Sequence, residues 1–205
     1  MRVRRVGDHA LLVEVDSTDE VAALHAELLR RRAAGALPPL DNIVPAARTV
    51  LLDGLTDPKQ LADDIPTWPL PPVPADEGPL VELPVRYDGP DLAEVAARWR
   101  VPVEEVGRIH SGFEYRVAFC GFAPGFGYLT GLPERLHVPR RATPRTSVPA
   151  GSVALAGAFT GAYPRTSPGG WQLIGHTDAV LWDPRREPAA LLRPGVRVRF
   201  IPEER

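Results

Sequence analysis

Apolar positions in the first half of the chain follow two periods. Residues 9–15 (HALLVEV) form an apolar, β-branched run that predicts a first strand. Ser17 and Glu20 then stand at the spacing of a capping box, where a hydroxyl and a carboxylate satisfy free amides at a helix start. Val21, Leu24 and Leu28 follow at helical spacing until Gly35 and Pro38 stop the pattern. Ile43-Val44 and Thr49–Leu52 read as further strands, and Asp57-Pro58 opens a short helix over 58–64. This alternation predicts a small α+β domain over residues 1–67. Seven prolines between 66 and 84 then leave no room for a helix or a central strand, so residues 68–79 are expected to be a stiff proline-rich linker.

After the linker, 80–86 reads as a strand with edge character at Pro84. Asp91 is placed to cap a helix carrying Leu92, Val95, Ala96 and Trp99, and Pro102 suits the first turn of another with Val103, Val106 and His110 on one face. From Tyr115 onward the helical period disappears. Short apolar runs at 116–122, 152–155, 172–174, 180–182 and 196–201 are separated by Gly/Pro turns, the pattern of a β-barrel or sandwich over 80–205.

Composition narrows the function classes. The net charge of −2, from 24 basic and 26 acidic residues, provides no global field for nucleic acid or membrane. Lys59 is the sole lysine, so arginine, a bidentate binder of carboxylate and phosphate, supplies nearly all positive charge. The single Cys120 excludes an internal disulfide and a multi-thiolate zinc site. No signal-like or membrane-spanning apolar run is present, which makes a reduced cytoplasm the expected compartment.

Motif tests remove several chemistries. The run CGFAPGFGYLTGLP (120–133) has glycines at 125 and 127, but Thr130 stands where a dinucleotide fingerprint needs the third, and no glycine precedes the lysine and hydroxyl of a phosphate loop. Cys120 lies in an apolar run without a neighbouring cation to activate a thiol. The G-x-S-x-G elbow is absent; Ser147 or Ser167 with His176 and Asp178 would make a triad that spacing does not specify. His110, His137 and His176 lack metal-ligand spacing, so no metal is expected. What remains is a proline-stiffened basic segment (Arg135, His137, Arg140, Arg141, Arg145) and a second segment carrying Tyr163, Arg165 and Trp171. Stiff backbone that presents arginines beside aromatic walls can bind an anion at low entropic cost.

The same segments carry a family resemblance. Tyr87-Asp-Gly89, Arg108-Ile-His110, Glu114-Tyr-Arg116, Gly121-Phe-Ala-Pro-Gly-Phe126, Ala142-Thr-Pro-Arg-Thr146, Val148-Pro-Ala-Gly-Ser152, Tyr163-Pro164, Ser167-Pro-Gly-Gly-Trp171 and Leu191-Leu-Arg-Pro-Gly195 occur in the order of the allophanate hydrolase subunit 1, or Kip-type, family, which the sequence resembles over almost its whole length. It departs from the family's usual Leu, Pro and Gln at Ala123, Gly127 and Phe159. The resemblance implies a ferredoxin-like N-terminal domain and a cyclophilin-like β-barrel. It further implies a subunit of a heteromeric ATP-dependent amidohydrolase, the 5-oxoprolinase that opens 5-oxoproline to glutamate. The implied partners are a protein of the allophanate hydrolase subunit 2 type (the C-type component of that enzyme) and a lactam-utilisation-type A component, with ATP and magnesium held here or by a partner. An alternative within the family is inhibition of a sensor histidine kinase. Allophanate hydrolysis and a urea carboxylase component are weaker alternatives, and no Ser-Ser-Lys amidase signature is present. For such chemistry His110 and His176 are the acid/base candidates, Arg116, Arg140 and Arg145 the anion contacts, and Tyr128, Tyr163 and Trp171 the walls.

Overall fold

A computed structural model describes residues 1–74 and 78–203, in two compact units, Met1–Glu77 and Gly78–Arg205. The first contains β1 (Arg2–Val6), β2 (Ala10–Glu14), α1 (Thr18–Ala33), β3 (Asn42–Pro45), β4 (Thr49–Asp53), α2 (Lys59–Asp64) and a 3₁₀ turn at Ile65–Thr67. Its antiparallel sheet has the order β1-β2-β4-β3. Alternate residues of β2 and β4 face each other as Leu11 with Leu52 and Val13 with Val50, and all four pack beneath Val21, Leu24 and Leu28 of α1. Ser17 caps α1 by accepting the Glu20 N–H, while the Glu20 carboxylate reaches back to the N–H of Asp16. A ferredoxin-like βαββαβ order would fill the place beside β2 with a strand that follows the second helix. Here β1 fills it. The alternation of Arg and Val in RVRRV carries no apolar run, which is why the hydrophobic pattern starts at residue 9 and leaves β1 out.

The second unit contains β5 (Leu80–Val85), α3 (Leu92–Trp99), α4 (Val103–Ser111), β6 (Glu114–Cys120), β7 (Gly127–Thr130), a 3₁₀ turn at Glu134–Leu136, β8 (Arg145–Val148), β9 (Ser152–Ala156), β10 (Phe159–Ala162), β11 (Ser167–Gly169), β12 (Gln172–His176) and β13 (Arg197–Pro202). Seven strands form one curled sheet in the order β12-β9-β10-β7-β6-β13-β5, a half-barrel of mixed α+β character. The residue after β5 makes an isolated bridge to the end of β12, where Arg86 and His176 exchange both backbone hydrogen bonds, at 2.9 and 2.8 Å. The core under α3 and α4 includes Leu83, Val85, Val95, Trp99, Val106, Tyr115 and Phe200. A second apolar cluster, built on Phe126, Tyr163, Trp171 and Leu173, is separate from it. Strands β8 and β11 pair only with each other.

Three expectations change. Residues 180–182 form no strand: Val180 and Leu181 give their carbonyls to the Arg186 guanidinium, which also takes those of Pro188 and Ala189, and Trp182 makes an isolated bridge to Ala190. Pro102 stands one residue before α4 rather than in its first turn. Asp91 precedes α3 but makes no side-chain cap; its carboxylate is engaged elsewhere, as described below. Of the expected linker, Trp68 and Leu70 pack on the N-terminal core and Arg31 lies 3.9 Å over the Trp68 ring, while residues 75–77 lie outside the described residues. Among the described residues, no helix is long and apolar enough to cross a membrane.

Candidate functional site

Asp91 is the organising group. It is 4% exposed, and its Oδ1 accepts from Arg141 Nη1 and Arg145 Nη2, both at 2.7 Å, while Oδ2 accepts the Leu173 N–H at 2.7 Å. Burial alone would raise this carboxyl; the contacts with Arg145, Leu173 and Arg141 outweigh it and hold Asp91 below the usual carboxylate range. The sequence places the three elements together through backbone pairing. The chain after β5 runs antiparallel to β12, with the N–H groups of Gly89 and Asp91 donating to Ile174 and Leu173, and the Arg141 N–H donates to Gly170.

Beside this ion cluster stands an aromatic wall. Phe126 meets Tyr128, Tyr163 and Trp171 edge-on at 5.1–5.4 Å, and Tyr128 stacks on Phe119 at 4.4 Å. Gly169 has no side chain for a reason: a Cβ there would lie 2.3 Å from the Tyr163 hydroxyl. Burial pushes the Tyr128 and Tyr163 phenols up, and the charge of the exposed Arg140 opposes it in both, so this guanidinium lies within electrostatic reach of the two tyrosines. Arg145 acts on Tyr163 in the same sense. Arg140 makes no hydrogen bond or ion pair with any described residue. Phe122 closes the wall at 6.1 Å from Tyr163; it is 57% exposed and holds a left-handed φ of 66°. A bulky residue in that conformation is strained by roughly 1–2 kcal/mol.

The structure therefore gathers Arg140, Arg145, Tyr128, Tyr163 and Trp171. The other three candidates stand apart. His110 is fully buried on α4, with Nδ1 2.8 Å from the Tyr87 hydroxyl and Nε2 3.3 Å from Thr160 Oγ1, and burial lowers its pKa to about 3. Its enclosed imidazole packs against Tyr115 and Phe200, with ring centroids 5.0 and 4.6 Å away. Tyr87, its partner, lines a cavity of about 580 Å³ with Arg86, Gly107, Arg108 and Glu203. His176 closes β12 four residues beyond Gln172, about 13 Å along a strand. Its Nε2 is 3.0 Å from Asp178, whose other oxygen accepts from Arg86 at 2.8 Å. Arg116 donates to the Gly195 carbonyl at 3.1 Å, on the β13 side of the sheet. Among the described residues no group of three His, Cys, Asp or Glu side chains is arranged to hold a metal ion.

Sequence reading misses Asp91 as a site residue, because a carboxylate before a helix has a sufficient local explanation. It also passes over Gln172, fully buried with Nε2 donating to Glu94 at 3.0 Å and to the Pro139 carbonyl at 3.4 Å. A polar residue in the otherwise apolar run 171–174 is the available signal.

Similarity to known proteins agrees with this architecture. The model of the carboxyltransferase domain, subdomain C and D, matches residues 1–192. The B-type component of 5-oxoprolinase from Escherichia coli O157:H7 is 55% identical over 131 residues, 62% of this chain and 60% of its own length. That of Bacillus subtilis (strain 168) is 50% identical over 125 residues, 60% of this chain and 52% of its own. These matches thus span roughly half to three fifths of the curated relatives. Among solved structures, TTHA0988 is 38% identical with a TM-score of 0.77, over 99% of this chain and 40% of that one. The conserved uncharacterized protein PH0987 from Pyrococcus horikoshii is 33% identical with a TM-score of 0.60, over 98% and 97%. The Kluyveromyces lactis urea carboxylase, at 17% identity and a TM-score of 0.69 over 98% of this chain and 22% of its own, shares the fold. The chain belongs to the family of the carboxyltransferase domain, subdomains C and D.

Proposed function

We propose that the chain is one component of a heteromeric ATP-dependent 5-oxoprolinase, active with its partner subunits and working in the cytoplasm. The observation that carries this reading is the 55% identity over 131 residues to a protein named as the B-type component of 5-oxoprolinase. The finer fold assignment, a ferredoxin-like unit of residues 1–67 with β1 in the place of its last strand, joined through 68–79 to a cyclophilin-like barrel of 80–205, belongs to the same reading. So do the partners, one of the allophanate hydrolase subunit 2 type and one of the lactam-utilisation A type.

A lactam amide is a poor electrophile, and phosphorylation of its oxygen would create a leaving group and make hydrolysis downhill. This chain's part is to hold the anionic substrate. Arg140, free of hydrogen bonds and ion pairs among the described residues, and Arg145, anchored by Asp91, offer N–H donors to a carboxylate. Tyr128, Tyr163 and Trp171 wall the ring in and lower the local dielectric, which strengthens those contacts. His176, paired with Asp178, is the acid/base candidate with solvent access and stays a candidate proton carrier, on a surface shared with a partner. Magnesium-ATP is the co-substrate in this reading, held here or by a partner subunit.

The test is ATP-dependent glutamate release from 5-oxoproline by the chain mixed with its partners. Activity is expected only in the full mixture. Arg140→Ala should raise KM about tenfold or more with kcat changed less, the effect of losing one charge-assisted contact. Unchanged kinetics would remove Arg140 from the site.

A further inference from the structure

Two touching loops hold apolar side chains out of the second unit. Phe122 and Val180, 57% and 60% exposed, are the most exposed large apolar residues among those described, and Trp182 is 42% exposed. A Cβ on Gly125 would lie 2.8 Å from the Trp182 Cβ and 3.1 Å from the Leu181 carbonyl oxygen, so the turn 121–126 rests directly on residues 181–182. Both loops are braced. The Gly121 N–H donates to the Phe126 carbonyl and the Phe126 N–H to that of Ala123, while Arg186 holds the carbonyls of Val180 and Leu181. Leu181, 3% exposed, faces the core, which leaves Val180 and Trp182 on either side of it facing out. Single exposed apolar residues are ordinary, whereas three on abutting braced loops, one of them at a left-handed φ, mark a contact surface.

Charge and relatives narrow the occupant. Arg185, Arg186 and Arg193 outnumber Asp183 and Glu187 along 180–193, on a chain of net charge −2. Such a face repels its own image, because a two-fold dimer sets like charges opposite each other. It suits an apolar surface rimmed by carboxylates. The family is that of subdomains C and D of a carboxyltransferase domain. The match covers 97% of PH0987 but 40% of TTHA0988, so the same pair of units occurs almost alone in one relative and joined to a longer remainder in another. A unit joined to its neighbour in one protein and separate in another keeps the shared interface wherever the two work together. We propose that Phe122, Val180 and Trp182 are the centre of the docking surface for the protein that supplies the rest of the carboxyltransferase domain, whose facing patch is apolar with a carboxylate rim. This rests on the heteromeric reading above and adds where the partner sits. Because Phe122 also closes the aromatic wall, the docked partner roofs the candidate site.

Sedimentation velocity of the full chain with the purified subunit 2-type component should show a complex whose affinity falls as salt rises. Trp182→Glu and Val180→Glu should each weaken it at least about tenfold, while Ile201→Glu, 40% exposed on β13, changes it less than about twofold. In the wild-type complex, amide exchange over 121–126 and 180–186 should slow by about tenfold or more, a result that stands even if a variant fails to fold. Absence of a wild-type complex, no slowing there, salt-independent binding, or equal losses in all three variants would each overturn the proposal. So would a dimer of the chain alone that Val180→Glu dissociates, which would give the face to a second copy. Glutamate release by the mixture with both partners separates the two readings. Turnover with a complex that survives Trp182→Glu and Val180→Glu sinks this surface alone. A complex that needs both residues but releases no glutamate sinks the enzyme assignment alone.

Discussion

Asp91 cannot be removed without stranding two guanidinium groups that share one of its oxygens. Breaking a buried pair from one side costs about 3–5 kcal/mol. The arginines here keep some solvent contact, so Asp91→Ala is expected near the lower end, about 3 kcal/mol, read from denaturant midpoints. A loss under about 1 kcal/mol would show that the arginines find other partners. His110 makes a prediction of a different kind. Burial lowers its folded pKa to about 3, whereas the unfolded imidazole takes its proton near 6.5. Its contribution is therefore complete above about pH 6.5 and is lost progressively as pH falls towards 3. Near pH 5.5 the unfolding free energy should fall by about 1 kcal/mol per pH unit on its account. His25, also lowered by burial, adds in the same window, while Asp91 and Glu27, held low by their arginines, act only at more acid pH. Denaturant titrations at about pH 7, 6 and 5 should find a shallower slope in His110→Gln than in the wild type. An unchanged slope would mean that the ring titrates in the folded state.

Elements were legible where the chain repeats its own pattern. Helices α1, α3 and α4 follow from apolar spacing, and β2, β6, β9, β12 and β13 from short apolar runs. Strands β7, β10 and β11 were not, because glycine-, threonine- and proline-containing segments join a sheet through backbone pairing that their side chains do not announce. The site was half legible for the same reason. Arginines and aromatics stand out by residue type, whereas the roles of Asp91 and Gln172 depend on β12 running beside residues 86–91, a long-range pairing. The segment 180–191 shows the converse: its apolar run, 180–182, has its carbonyls taken by Arg186 and by a local turn rather than by the sheet. Arg186→Ala should remove one guanidinium from four carbonyls there, leaving Leu181 and Ala189 only their backbone partners, the N–H groups of Leu191 and Asp183. Amide exchange across 180–191 should speed by about tenfold or more while the β9 and β12 amides stay protected. Uniform acceleration would mean that the segment supports the whole sheet.

At the scale of the whole molecule, each unit encloses its own apolar cluster. We expect residues 1–74 produced alone to unfold cooperatively in urea, followed by Trp68 fluorescence; a broad, non-cooperative change would show that this cluster does not suffice. The curled sheet of the second unit carries a further consequence, one of timing. Its edge strand β5 pairs in parallel with β13, Leu80 lying opposite Arg197. Some 117 residues separate these partners, and at the usual 5–20 residues per second a ribosome needs roughly 6–23 s to bridge them. Through that interval the apolar face of β5, with Leu83 and Val85, has no β13 to cover its edge. Its Glu82 and Pro84, which point away from the core, are then the residues that discourage another nascent chain from pairing there. The proline that marks this strand in the sequence thus helps protect it before the fold exists.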